Sequence, residues 1–429
     1  MPIFSPASLI RLLGSIEADR LVVLCGAGLS MSAPSLLMSA KSVAQQCYDR
    51  WQPTETLPVT LRDDIDSLAG HFYQQGTFTT VFIGTLVPWN DLVGTPNAGH
   101  DAVADLLMSR AANAALSANF DPLIEQSAQR RKIALRGALD GVEAATFQTT
   151  TSPLLKFHGC FARDRDKTLW TRDQLRHPDI KQRIESCAKW MELNLPAKDL
   201  LVIGFWTDWG YLNDVLAQTI LMNGITSVTV IDPASSAELQ AKAPTLWNTL
   251  NVAGMPFEHV PESGSAALEE LRIEFSKVWA KKFFLLGKPL LEAAGGTYPA
   301  AVDSIAWTCD DIYNLRRDAE GEPYNHAARK KAPDPEAAQA AYAHLLLTQA
   351  AATRRGAWYE YGGKTVRVVQ GAGQGISTVR QRYNEPPNLP APDIVICAGA
   401  KDTSVPGKII PSGSGARSCL VNRLTGGGR

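Results

Sequence analysis

Five short apolar runs, each stopped by a residue suited to a turn or to chemistry, constrain this chain more than any other feature. They are Leu21-Val22-Val23-Leu24-Cys25 before Gly26, Ala114-Ala115-Leu116-Ser117 before Asn119, Leu154-Leu155-Lys156-Phe157 before His158, Leu200-Leu201-Val202-Ile203 before Gly204, and Val228-Thr229-Val230-Ile231 before Asp232. Runs this short and unbroken predict strands buried on both faces. Helix-length stretches separate them over residues 102–112, 122–131, 180–193 and 211–222, and residues 9–16 carry apolar side chains at helical spacing ahead of the first run. Strand alternating with helix predicts an α/β fold, a doubly wound parallel sheet covered by helices. Residues 63–93 break the rhythm and predict a small helical insertion.

In such a sheet ligands bind beyond the carboxyl ends of the strands, where all five terminating residues fall. Gly26-Ala27-Gly28-Leu29-Ser30 follows the first strand. Glycines there let backbone approach a phosphate, although a tight turn alone also uses them. Met31 stands where a hydride-transfer fingerprint needs a third glycine, which argues against an ordinary dehydrogenase. Asp121-Pro122 reads as a helix start, with the carboxylate accepting backbone N–H groups, and this accounts for Asp121 but not for Asn119. His158 precedes Gly159 at a strand end, where an imidazole of ordinary pKa about 6.5 suits proton transfer; a hydrogen-bonded structural histidine is the alternative. Cys160 reads as a packing residue, because no second histidine is placed to activate it.

The 429 residues, 45% hydrophobic and 20% charged, are enough for a large core and two domains, expected over 1–280 and 281–429. Residues 1–280 hold 23 Lys/Arg against 30 Asp/Glu, and residues 281–429 hold 19 against 13, so the second region is the basic one. Its clusters, Arg329-Lys330-Lys331, Arg354-Arg355 and Arg380 with Arg382, fit either a polyanion surface or solvated faces. This second region is expected to be α+β: helices over 301–319 and 336–352, a hairpin about Gly362-Gly363, a proline-rich linker over 385–392, and a poorly ordered tail over 411–429. Seven cysteines without a C-x-x-C pair speak against a disulfide framework or a zinc site. No run is long enough to cross a bilayer and Met1-Pro2-Ile3-Phe4 lacks a secretory layout, so a cytoplasmic, membrane-free protein is expected.

Through Gly26-Ala27-Gly28-Leu29-Ser30, Asn119-Phe120-Asp121, His158-Gly159 and Gly204, in that order, the chain resembles the sirtuins over roughly residues 9–280. The resemblance implies a Rossmann-like core whose Gly26, Ala27, Gly28 and Ser30 hold the phosphates of NAD. It further implies that Asn119 and Asp121 hold the ribose and nicotinamide ends, that His158 is the base against the ribose hydroxyls, and that Gly204 and Asp232 lie along the adenosine half. Protein-deacylase sirtuins carry two C-x-x-C pairs and a Pro-x-Phe-Arg element, both missing from this sequence. Segments 28–35 and Leu169-Trp170-Thr171-Arg172-Asp173 look more like the zinc-free prokaryotic sirtuins of antiphage defence. That likeness implies an NAD hydrolase, with NAD as substrate, no zinc, and Asn119 and His158 as catalytic residues. It also implies control by homo-oligomerisation or by a defence partner such as an argonaute-like protein or a ring-shaped ATPase, with nucleic acid reached through that partner or the basic region. ADP-ribosyl transfer to protein, deacylation, and an NAD- or ADP-ribose-sensing scaffold remain the alternatives.

Overall fold

The computed structural model describes residues 2–131, 133–147, 151–221, 224–252, 254–320, 335–370, 392–398, 408–411 and 419–420. It divides into two compact units, Met1–Leu271 and Arg272–Arg429, the division falling inside the helix Gly264–Ala293.

In the first unit the strands are β1 (Leu21–Cys25), β2 (Ala114–Ser117), β3 (Leu154–Lys156), β4 (Lys198–Ile203), β5 (Ile225–Ile231) and β6 (Phe257–Val260). They form one sheet in the order β3-β2-β1-β4-β5-β6, with every neighbouring pair parallel. This is the doubly wound Rossmann-like order, and it reverses direction between β1 and β4. Five of the six strands were legible as apolar runs. The sixth alternates, Phe257-Glu258-His259-Val260, because it lies at the sheet edge, where the Glu258 carboxylate pairs with Arg11 at 2.5 Å.

Helices flank the sheet, and their starts follow capping chemistry. Ser5 accepts from the amide of Ser8 ahead of the helix Pro6–Glu17, and Asn97 and Ser235 form capping boxes before Ala98–Met108 and Ser236–Lys242. One face of the sheet packs Leu24, Leu116, Leu155 and Val202 against Ile184, Trp190, Met191 and Leu216 from the helices Pro178–Asn194 and Gly210–Leu221. The insertion is helical as expected, with Ile65–Gln74, a wide-turned helix Phe78–Leu86 and a single turn Trp89–Leu92. Together with Ala40–Trp51 it encloses a core of its own around Phe72, Phe78 and Phe82.

The second unit holds another six-stranded sheet: β7 (Thr353–Arg355), β8 (Trp358–Tyr361), β9 (Lys364–Gln370), β10 (Ile394–Ala398), β11 (Lys408–Pro411) and β12 (Cys419–Leu420), in sequential order from edge to edge. Only β9 and β10 pair in parallel. The hairpin about Gly362-Gly363 is β8 and β9, and both glycines have positive φ. The helix expected over 301–319 is instead a short turn, Ala300–Ser304, followed by Cys309–Glu320; the helix expected over 336–352 runs from Pro335 to Gln349. The linker at 385–391 lies outside the described residues, as does most of the tail, whose Cys419–Leu420 nevertheless pairs as β12. Among the described residues no helix is long and apolar enough to cross a membrane.

Candidate active site at the strand switch point

Register alone aligns most of the candidate residues. Ser117, Cys25 and Ile203 are partners across β2, β1 and β4, Lys156 pairs with Ser117, and Ile231 pairs with Ile203. The residues one or two positions further, Gly26, Asn119, His158, Gly204 and Asp232, therefore leave the sheet along a single edge. Where β1 and β4 part, Gly28 donates to the carbonyl of Gly204 at 3.0 Å and Gly26 to that of Ile203 at 2.9 Å. Gly204 has φ +56°, and a Cβ on it would sit 2.6 Å from the Cα of Gly28. These glycines bring two crossover loops into backbone contact, and the glycine turn is thus also a structural requirement.

Ala27, Ser30, Asn119, Asp121, His158 and Gly204 line one cavity of about 500 Å³ at this edge. Its walls also include Phe120, Trp170, Arg172, Trp206 and Trp209. Gly26 and Gly28 are not among its lining residues, their amides being spent on the end of β4. Asp232 is not brought to the cavity: its carboxylate accepts from the amide of Ala234 at 2.9 Å and its carbonyl bonds His259, so it shapes the loop after β5.

Ser30 is the centre of a polar cluster. Its hydroxyl donates to Asp121 Oδ2 at 2.9 Å and accepts from Asn119 Nδ2 at 3.1 Å. His100 Nε2 lies 3.1 Å from the same oxygen, and His100 Nδ1 accepts from the backbone amide of Asn97 at 3.2 Å. Because Nδ1 is an acceptor, the neutral ring carries its proton on Nε2 and donates to Ser30. Burial lowers the His100 pKa against the opposing pull of Asp121 and Asp101, which keeps the ring neutral. Nothing in the sequence marked His100, because it doubles as the third helical residue of the Asn97 capping box.

The helix after Asp121 starts one residue later than the sequence suggests, at Leu123 with Pro122 as its N-cap, and Asp121 Oδ1 still accepts from the amide of Leu123 at 3.2 Å. Behind it, the buried Lys156 ammonium bonds the Asp121 carbonyl and lies 3.4 Å from Glu125. Burial pulls the Lys156 pKa down, but Glu125, Cys160 and Asp121 together carry it above the usual value, so it stays charged. Asn119, 7% exposed, uses its amide nitrogen on Ser30 while its Oδ1 is buried without a partner. Such an acceptor is costly to leave unmade.

His158 is 5% exposed, with its Nε2 2.9 Å from the Tyr211 hydroxyl and its ring edge-on to Trp209 at 4.7 Å. Burial, reinforced by Arg183, pushes its pKa down to about 3, not the ordinary value of about 6.5 expected from sequence, so the ring is neutral and a weaker base than an exposed imidazole. Gly159, at φ +96°, turns the chain so that the His158 carbonyl accepts from Leu169 at 2.9 Å. The following Arg172 salt-bridges Asp66, donates to the Asp208 carbonyl at 2.6 Å and lies over the Trp209 ring. Burial pushes the Cys25 thiol up to about 12 and raises Cys160, so neither supplies a thiolate. Among the described residues no group of three or more His, Cys, Asp and Glu is arranged to hold a metal.

Residues 113–253 match the family model of the SIR2-like domain. Among solved structures, the chain is similar to a SIR2 homolog in complex with NAD, at 18% identity and TM-score 0.37, over 63% of this chain and 94% of that one. It is also similar to a mutant Sir2 homologue in complex with ADP-ribose, at 16% identity and TM-score 0.35, over 63% and 97% respectively. No curated protein matches at a significant level. The stretch that is similar to a SIR2-like domain lies inside the first compact unit and includes Asn119, Asp121, His158 and Gly204.

Proposed function

We propose that this protein is an NAD hydrolase that releases nicotinamide and ADP-ribose. The observation that carries the reading is a single cavity lined by both Asn119, with its unpartnered Oδ1, and the neutral His158, beside the glycine turn that follows β1. A SIR2-like domain points to an NAD-using enzyme. The donor set fits the molecule: Asn119 Oδ1 awaits a hydroxyl or water, and the apolar walls Phe120, Trp170 and Trp209 suit flat rings and exclude bulk water.

NAD supplies a ribose bearing a cationic nicotinamide, a leaving group that needs little acid assistance. In the proposed division of labour, Ser30 and Asp121 fix the sugar and nicotinamide ends, and Asn119 Oδ1 orients the attacking water or a ribose hydroxyl. His158 accepts the proton. Gly26, Ala27, Gly28 and Gly204 are proposed to line the phosphate path. Asp232 would meet the adenosine half only if that half runs beyond the cavity, because its side chain is engaged in its own turn.

Protein ADP-ribosylation and deacylation would use the same pocket, and the absent C-x-x-C pairs weigh against deacylation. Effector duty in antiphage defence, with control by self-assembly or by a partner protein, follows as the proposed context for an activity that would deplete its own cell of NAD. The test is incubation of the full-length protein with NAD, alone and with the product of its genomic neighbour. Nicotinamide and ADP-ribose in equal amounts are expected; ADP-ribose found on protein instead would move the reading to transfer.

A further inference from the structure

A general base on a histidine needs one ring nitrogen bare and facing the substrate, and the other held so that the ring cannot swap its proton. Among the described residues the His158 ring makes one hydrogen bond, between Nε2 and the Tyr211 hydroxyl oxygen at 2.9 Å, and nothing bonds Nδ1. His158 lines the cavity and Tyr211 does not, so the phenol contacts the imidazole from outside the chamber. Phe157 and Trp209 close on the ring edge-on, each at 4.7 Å, and fix its plane.

Tyr211 is the second residue of the helix Gly210–Leu221, its ring lies 6.1 Å from that of Trp209, and just before it the Asp208 carboxylate accepts from Asn213 Nδ2 at 3.2 Å and from the amide of Leu246 at 2.8 Å. We propose that Tyr211 is a positioning residue for His158: its oxygen accepts Nε2–H, fixes that tautomer and leaves Nδ1 bare toward the cavity.

This rests on the NAD hydrolase reading for its kinetic consequence, but not for its geometry. In the step it serves, a substrate hydroxyl O–H breaks, its oxygen keeps the electron pair, and the proton forms Nδ1–H while Nε2–H stays on Tyr211. Burial raises the Tyr211 pKa well above the ordinary phenol value, so the group remains a neutral phenol rather than a phenolate, and the tautomer of His158 decides which partner donates.

Two measurements on the full chain test the assignment. Nitrogen-15 spectra of histidine-labelled protein should show the resonance lost in His158→Ala as the Nε2–H tautomer, and Tyr211→Phe should shift it toward a mixture. In turnover, Tyr211→Phe should lower kcat by about tenfold or more with KM held within about twofold. A wild-type Nδ1–H tautomer, or an unchanged kcat in Tyr211→Phe, overturns the proposal. If the wild-type protein releases no nicotinamide, the hydrolase reading fails by itself and the tautomer still decides the role of Tyr211.

Discussion

Ser30 shows how much of the site is settled by counting protons. Its hydroxyl has one hydrogen, given to Asp121, and two donors aimed at it, from Asn119 and from His100. Ser30→Ala leaves two buried donors and the Asp121 Oδ2 unanswered, so Asn119 loses its orientation; ADP-ribose affinity should fall by about tenfold, near 1.4 kcal/mol, in calorimetry. His158→Ala and Asn119→Ala should each cut nicotinamide release by about a hundredfold or more without shifting the thermal midpoint by a comparable amount. Acid should also destabilise the fold. His158 and His344, buried to a pKa of about 3, and His100, lowered by burial, are neutral in the folded chain. Their folded pKa lies below the unfolded value of about 6.5, so their contribution is fully present above that pH. For His158 and His344 it is lost as pH falls from about 6.5 toward 3, by about 1.4 kcal/mol per pH unit per histidine, and His100 contributes in the same direction. Midpoints measured between pH 7.5 and 5 should fall, and His344→Phe should flatten the dependence; an equally steep fall in that variant would contradict the assignment.

Among the elements, the crossing of β1 and β4 is the most demanding. A Cβ on Gly26 would meet the Gly204 carbonyl and the Phe205 Cα at 2.5 Å, backbone against backbone, where nothing flexible can yield. Gly26→Ala should cost about 2 kcal/mol or more in urea denaturation, and an unchanged midpoint would show that the loops need not touch. The legibility of the sequence follows the same physics. Strands buried on both faces, such as Val228–Ile231, carry their own signal, and so do residues placed just past them, such as Asn119 and His158. Phe257–Val260 carried none, because an edge strand mixes polar and apolar residues and satisfies Glu258 with Arg11. Trp209 and Tyr211 read only as the approach to a helix; that they clamp His158 depends on β3 and β4 ending at the same edge, a nonlocal fact. Asp232 shows the converse, a strand-end carboxylate whose partner is its own turn.

For the molecule as a whole, the two units depend on different interiors. The second buries an Arg367–Asp318 pair, with Arg367 Nε 2.6 Å from the carboxylate and its guanidinium over Trp358 at 4.9 Å. Asp318→Ala removes the buried carboxylate beside the Arg367 guanidinium and should destabilise that unit by about 3–5 kcal/mol, visible as early proteolysis beyond residue 271. Of its basic clusters, Arg329-Lys330-Lys331 and Arg380 with Arg382 lie outside the described residues. Arg354 stacks on Trp307 at 3.7 Å and Arg355 pairs with Glu360 at 3.3 Å, so that pair serves the fold before it serves any polyanion. The account as a whole rests on one sugar being held between Asn119 and His158. Its most direct test is calorimetric titration of ADP-ribose into the full-length protein and into Asn119→Ala: saturable one-to-one binding, weakened about tenfold or more by the substitution, is the predicted result. Absence of binding to the wild-type chain, or equal affinity in the two proteins, would contradict it.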